Sequence, residues 1–163
     1  MNDYDIIISM YQYIAPFIEV CTMVFKNMVK CDLIAGRAYF IAREDFQKWD
    51  ISGIVSLSGE TRGMVSISMK AETAIQITEN ITGIKHTYLD SDVIDAIGEI
   101  VNIVTGNVKK NLQGMFKIVI SLPYIIKGKA HMVALPAERK QLLCIPFKIF
   151  DDQVIYLSIT IDS

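Results

Sequence analysis

The stretch from Ser91 to Gln113, SDVIDAIGEIVNIVTGNVKKNLQ, constrains this chain more than any other. At about 100° per residue, Val93, Ile97, Ile100, Val101, Val104 and Val108 fall in one sector. Asp95, Glu99, Asn102, Gly106, Lys109, Lys110 and Gln113 fall opposite. The pattern predicts a long amphipathic helix, N-capped by Asp90 or Ser91, with acids Asp92 and Asp95 in its first turn. Its polar face also carries Gly106, although a glycine costs about 1 kcal/mol in a helix interior. A face that meets only water has no need of that glycine; a close approach does.

Around this helix the composition predicts one cytoplasmic domain covering residues 1–163. That length can bury a full core, and 52% hydrophobic against 21% charged residues favours folding over disorder. A net charge of -2 leaves no basic footprint, so no nucleic-acid partner is expected. Cys21, Cys31 and Cys144 are odd in number and lack metal-site spacing, which reads as reduced thiols filling core space. The apolar run from Ile6 to Phe25 follows the acids Asp3 and Asp5 and is interrupted by Gln12, Pro16 and Glu19. It is therefore neither a signal peptide nor a membrane span, and no membrane insertion is expected.

In chain order, residues 4–14 read as a short helical or irregular lead-in, and a helix starts near Pro16. Phe17, Cys21, Val24, Phe25 and Met28 form its buried stripe, with Glu19, Lys26 and Lys30 facing water. Leu33 to Ala42 is a strand, and residues 43–50 are polar, with Trp49 near their end. Ile51 to Met69 is a hairpin turning at Gly59 to Gly63. A helix from Ala71 to Thr82 stops at Gly83. After the long helix come a strand from Lys117 to Leu122 closed by Pro123, a weaker strand around 127–134 and a loop at 135–140. A second hairpin, Leu142 to Ile149 and Val154 to Ile161, turns through Asp151 and Asp152.

The helix that begins near Pro16 echoes the long one eighty positions earlier: FIEVCTMV (17–24) against IGEIVNIV (97–104). Each copy carries a glutamate on its polar face, and each precedes a hairpin. The fold expected is therefore α+β, a single domain of two pseudo-repeated helix-plus-hairpin halves, forming a largely antiparallel sheet with helices packed on it. Thr22 stands where the second copy has Asn102, so only the second copy carries both groups.

Most enzyme templates are missing. His86 and His131 are far apart and read as surface or loop residues, and there is no phosphate loop, dinucleotide fingerprint or metal-ligand cluster. What remains is Glu99 and Asn102, which at i and i+3 emerge side by side. A carboxylate can pair with a partner's lysine. A carboxamide donates and accepts at once, as orienting an attacking water requires. Phosphoryl transfer rests on positioning and charge neutralisation, so an amide can serve it without being a strong base. The spacing alone also suits an ordinary solvated helix face.

Several separated stretches together resemble one family. They are PFIEVCTMVFKNM (16–28), SGIVSLSGETRGMVSIS (52–68), AETAIQITENITG (71–83), DAIGEIVNIVTGNVKK (95–110) and ISLPYIIKGKAH (120–131). The chain resembles the CheX family of chemotaxis phosphatases, relatives of CheC and of the flagellar switch phosphatase FliY, over nearly its whole length. The E-x-x-N helix, with the pair Gly106-Asn107 after it, carries most of the likeness.

The resemblance implies an enzyme, a phosphatase that hydrolyses the aspartyl phosphate of a CheY-like response regulator. It implies that Glu99 contacts the regulator's active-site lysine and that Asn102 enters its phosphorylation site to position water. The Mg²⁺ belongs to the regulator, so the chain needs no cofactor of its own. It further implies a homodimer joined edge to edge through the sheets, with one active helix per chain, as Thr22 departs from the two-site pattern of CheC. Asp95, Ile103 and Gly106 are the remaining candidates for partner contact. Gly106 lets the partner backbone approach beside Asn102, and Ile103 is either an apolar docking contact or an ordinary partly exposed hydrophobe. Asn107, on the flank, is a candidate to bond a neighbouring loop. Two alternatives stay open: a non-catalytic module that binds a receiver domain or flagellar switch component, and a structural subunit of a switch complex.

Overall fold

The computed structural model describes residues 3–42, 48–114, 117–133 and 141–162. In chain order its elements are α1 (Asp3–Val24), β1 (Ile34–Ala35), β2 (Tyr39–Ala42), β3 (Trp49–Gly59), β4 (Arg62–Met69), α2 (Ala71–Thr82), α3 (Ser91–Leu112), β5 (Ile118–Ile120), β6 (Tyr124–His131), β7 (Gln141–Ile149) and β8 (Gln153–Asp162). The β3–β4 hairpin forms where apolar residues alternate with serines, and β7–β8 where β7 is a nearly continuous apolar run. Val55, Leu57, Val65 and Ile67 take the helix-covered face with Ile145, Phe147, Leu157 and Ile159, while Ser56, Ser66 and Ser158 take the other.

All eight strands join one antiparallel sheet in the order β1-β7-β8-β4-β3-β5, with β2 also on β7 and β6 also on β3. Helix α3 packs on β3, β4, β5 and β6; α1 packs on α3 and β2, and α2 on α3, β3 and β8. The α+β fold of two helix-plus-hairpin halves is therefore present, in an interleaved form. Each half supplies a helix, a broken strand and a hairpin, and the broken strand pairs with the other half's hairpin. β1 and β2 lie on β7, β5 and β6 lie on β3, and β4 meets β8 at the centre. Neither half completes its sheet without the other.

Both outer strands break opposite or beside a proline, which corrects two sequence expectations. Leu33 to Ala42 is not one strand. Ala35 pairs with Phe147 and Tyr39 with Cys144, so one extra residue is accommodated opposite Pro146. Pro146 accepts from the Gly36 amide at 2.7 Å but has no N–H to return. An added Cβ on Gly36 would lie 2.9 Å from Pro146 Cγ, so the approach requires glycine. On the other edge, Pro123 interrupts rather than closes. β5 spans only Ile118–Ile120, and β6 begins at Tyr124, ahead of the expected 127. Between them Ser121 keeps contact with β3, its amide on Ser56 O and its hydroxyl accepting from the Ser56 amide, both at 3.0 Å.

The start of α1 is a further correction. It begins at Asp3 and runs through Pro16, with no separate lead-in. Proline forfeits one helix hydrogen bond, but Ile14 and Phe17 on either side are both buried, and that burial carries the helix through. Past Val24 the chain widens into a π-helical turn, Phe25–Val29, ending at Lys30 with φ 59°. The wider turn brings Val29 inward, leaving Met28 only half-buried. Trp49, near the end of the polar stretch 43–50, is the buried first residue of β3. Residues 43–47 of that polar stretch and the expected loop at 135–140 lie outside the described residues. α2 ends at Gly83 as expected, at φ 71° with its amide on Glu79 O.

The thiols behave as core. Cys21 and Cys144 are buried and unpaired, and burial pushes Cys21 up to about 12. Half-buried Cys31 is pushed up to about 11 by burial and then by the nearby Asp32 carboxylate. No helix among the described residues is long and apolar enough to cross a membrane.

Candidate functional site

α3 takes the face that its periodicity predicts. Val93, Ile97, Ile100, Val101, Val104 and Val108 are buried, joined by Gly98, Thr105 and Leu112. Asp90 rather than Ser91 is the cap, its Oδ1 accepting from the Val93 amide at 3.0 Å, and the helix ends at Leu112, one residue short of Gln113. A second link holds the entry: the buried His86 ring bonds through Nδ1 to Asp90 Oδ2 at 2.7 Å. The His86 bond and the Val93 amide together hold the Asp90 carboxyl below its usual range.

Glu99, Asn102 and Asp95 are all exposed. Glu99 and Asn102 leave the helix about 60° apart around its axis. Among the described residues neither has a hydrogen-bond or ion-pair partner. The neighbouring polar groups of α3 contrast with them. The Thr105 hydroxyl donates to Val101 O at 2.7 Å, and the Asn107 amide donates to Ile103 O at 2.9 Å. Asn107 therefore bonds its own helix and not a neighbouring loop. Ile103 is half-buried and packs against the core from the side, leaving one flank open. At Gly106 an added Cβ would meet nothing within 4 Å, so the space above that turn is empty.

The structure also assembles groups that sequence reading kept apart. His86, Asp90 and Asp92 place their ligand atoms within 4.8 Å of one another. In that cluster, however, His86 and one Asp90 oxygen hold each other, the other Asp90 oxygen caps α3, and the positive helix terminus repels a cation. His86 thus sits in the loop between α2 and α3, as expected, but with its ring buried in a structural bond to Asp90. His131 bonds Ser52 Oγ through Nε2 and Gly128 O through Nδ1, both at 2.8 Å, and ties β6 to β3. Two further glycines lie at contacts between α3 and the sheet. An added Cβ on Gly53 of β3 would lie 2.9 Å from Val101 Cγ1, and Gly98 packs over Ile125 of β6. A glycine in a strand interior, close to the β-branched Ile51, Ile54 and Val55, is the sequence signal for the first.

An exposed, unpartnered carboxylate and carboxamide on a rigid helix can accept a cation and orient a water. They sit on a single α+β domain with an open, interleaved antiparallel sheet. The family model of the chemotaxis phosphatase CheX matches residues 51–148, more than half of the chain and including this helix, and the chain belongs to that family. No curated protein matches the chain. Among solved structures, a CheC-like superfamily protein from Shewanella sp. PV-4 is 26% identical, with a TM-score of 0.84 over 93% of this chain and 98% of that one. The chemotaxis protein CheX from Vibrio vulnificus is 27% identical, with a TM-score of 0.83 over 92% and 99%. The CheX chain of a CheX–CheY–BeF₃–Mg²⁺ complex from Borrelia burgdorferi is 25% identical, with a TM-score of 0.79 over 93% and 98%.

Proposed function

We propose that this chain accelerates hydrolysis of the aspartyl phosphate on a CheY-like response regulator. Glu99 pairs with the regulator's active-site lysine and so registers the two proteins. Asn102 enters the phosphorylation site and holds a water in line with the phosphorus. The water oxygen bonds to phosphorus as the bond to the aspartyl oxygen breaks, releasing inorganic phosphate and restoring the carboxylate. The Mg²⁺ that offsets the charge on phosphate is the regulator's, and this chain supplies no cofactor. It acts in the cytoplasm as an edge-to-edge homodimer with one active helix per chain. Asp95, Ile103 and Gly106 flank the contact.

The observation that carries this reading is the partnerless Glu99–Asn102 pair on an exposed helix turn. The family match and the Borrelia burgdorferi complex with CheY support the choice of partner. The test is decay of a phosphorylated receiver domain with and without the protein. Faster decay supports an enzyme; binding with unchanged decay favours a non-catalytic receiver-binding module.

A further inference from the structure

The turn that carries Glu99 and Asn102 rests on a tight seat. Gly53 and Ile125 are directly paired across β3 and β6, and α3 lies above that pair. A Cβ added to Gly53 would lie 2.9 Å from Val101 Cγ1, 3.3 Å from Val101 Cβ and 3.5 Å from Ile125 Cδ1. Ile125 rises beside it beneath Gly98, whose added Cβ would lie 3.6 Å from Ile125 Cδ1 and 4.0 Å from Pro123 Cγ. The two helix residues of the seat, Gly98 and Val101, immediately precede the two site residues. They are three apart, as Glu99 and Asn102 are, so the seat lies on the same turn as the pair, about 100° around the helix axis from it.

We infer that Gly53 is a positioning residue for the Glu99–Asn102 turn, an assignment that rests on the phosphatase reading above. The missing side chain lets Val101 sit down on β3. Val101 cannot turn aside, because a valine in a helix is held to one strongly preferred rotamer. Nor can α3 lift as a rigid body. It is anchored by buried Val93 at one end and by buried Val108 and Leu112 at the other. A methyl at position 53 therefore bows the helix at the turn bearing both side chains, and changes the angle between them. Gly98 differs, since its nearest neighbours leave ordinary contact distances for a methyl.

The experiment measures receiver-phosphate decay at varied receiver concentration for the wild type, Gly53→Ala, Val101→Ala, Gly53→Ala/Val101→Ala and Gly98→Ala. Alongside it, ¹H–¹⁵N amide shifts of residues 98–103 and the Tm are recorded. A displacement approaching 1 Å can cost about a hundredfold in rate, so Gly53→Ala should lower kcat by about tenfold or more while KM moves little. The double variant, in which the offending Cγ1 is gone, should recover kcat to within about threefold of wild type and return the amide shifts towards it. Gly98→Ala should keep kcat within about twofold. Wild-type kcat and amide shifts in a folded Gly53→Ala would overturn the inference, as would a double variant no better than the single. If the wild type itself does not speed decay, the phosphatase reading fails. The amide shifts then decide the seat separately: displacement confined to 98–103 and reversed in the double variant sustains it, and unchanged shifts refute it.

Discussion

Helices α1 and α3 share a pattern more than a sequence, with two of eight aligned residues identical, and end as different objects. Both are 22 residues long, both bury an apolar stripe, and both carry an exposed glutamate at matching places, Glu19 and Glu99. Three residues on they diverge. The Thr22 hydroxyl donates back to Ile18 O at 2.8 Å, whereas Asn102 has no partner among the described residues. Where α3 has Gly106 with open space above it, α1 has Lys26, already inside the π-helical turn. α3 also lies directly on four strands, while α1 leans on α3 and touches the sheet at β2. An amphipathic face with a glutamate is thus an ordinary product of folding. What distinguishes α3 is a free amide, an opening beside it and a firm strand beneath.

The sharpest way to break the comparison is to empty the amide. Asn102→Ala should cut stimulated dephosphorylation by about 10² to 10³, the usual loss when a positioned polar group leaves such a site, with Tm unchanged. Turnover near wild type in that variant would end the proposed mechanism. Glu99→Ala removes a charge-assisted contact worth about 1.5–3 kcal/mol, so affinity for the receiver and turnover should both fall by roughly tenfold or more. Glu19→Ala, its counterpart on α1, should leave both alone; an equal loss there would show that α1 shares the interface.

Gly106→Ala should pull stability and function in opposite directions. It gains about 1 kcal/mol of helix propensity, a Tm rise of about 2–4 °C, while receiver binding weakens a few-fold. A stabilised variant with unchanged binding would mean the partner does not come close there. Cys21, at the place matching Val101, separates the cores of the two helices. Its thiol is raised on folding from 9.0 to about 12. Below pH 9 it is protonated in both states. As pH rises from about 9 towards 12 only the unfolded chain releases the proton, so stability falls over that window. At pH 10 this thiol accounts for about 1 kcal/mol, and urea melts of Cys21→Val should show a correspondingly shallower loss between pH 8 and 10. The smallest effect belongs to Thr22→Asn. Without a glycine one turn on, that substitution should raise turnover by less than about twofold, and a doubling of active sites by titration would contradict this.

Periodicity alone determined a good deal here. The stripe of α3, the stop of α2 at Gly83 and both hairpins are local consequences of side-chain spacing, and local physics is what a sequence displays directly. The exposure of Glu99 and Asn102 follows from the same spacing. Tertiary structure decided everything that depends on distant neighbours. Pro16 stays within a helix because burial on both sides outweighs one lost hydrogen bond. Pro123 and Pro146 break the edge strands, because their missing donors face a particular neighbour. The halves interleave because each broken strand finds its partner in the other half's hairpin. Gly53 matters because Val101, forty-eight residues away in the chain, comes to rest on it. That Asn102 is free while Thr22 and Asn107 are not is likewise a matter of where each side chain finds its nearest acceptor.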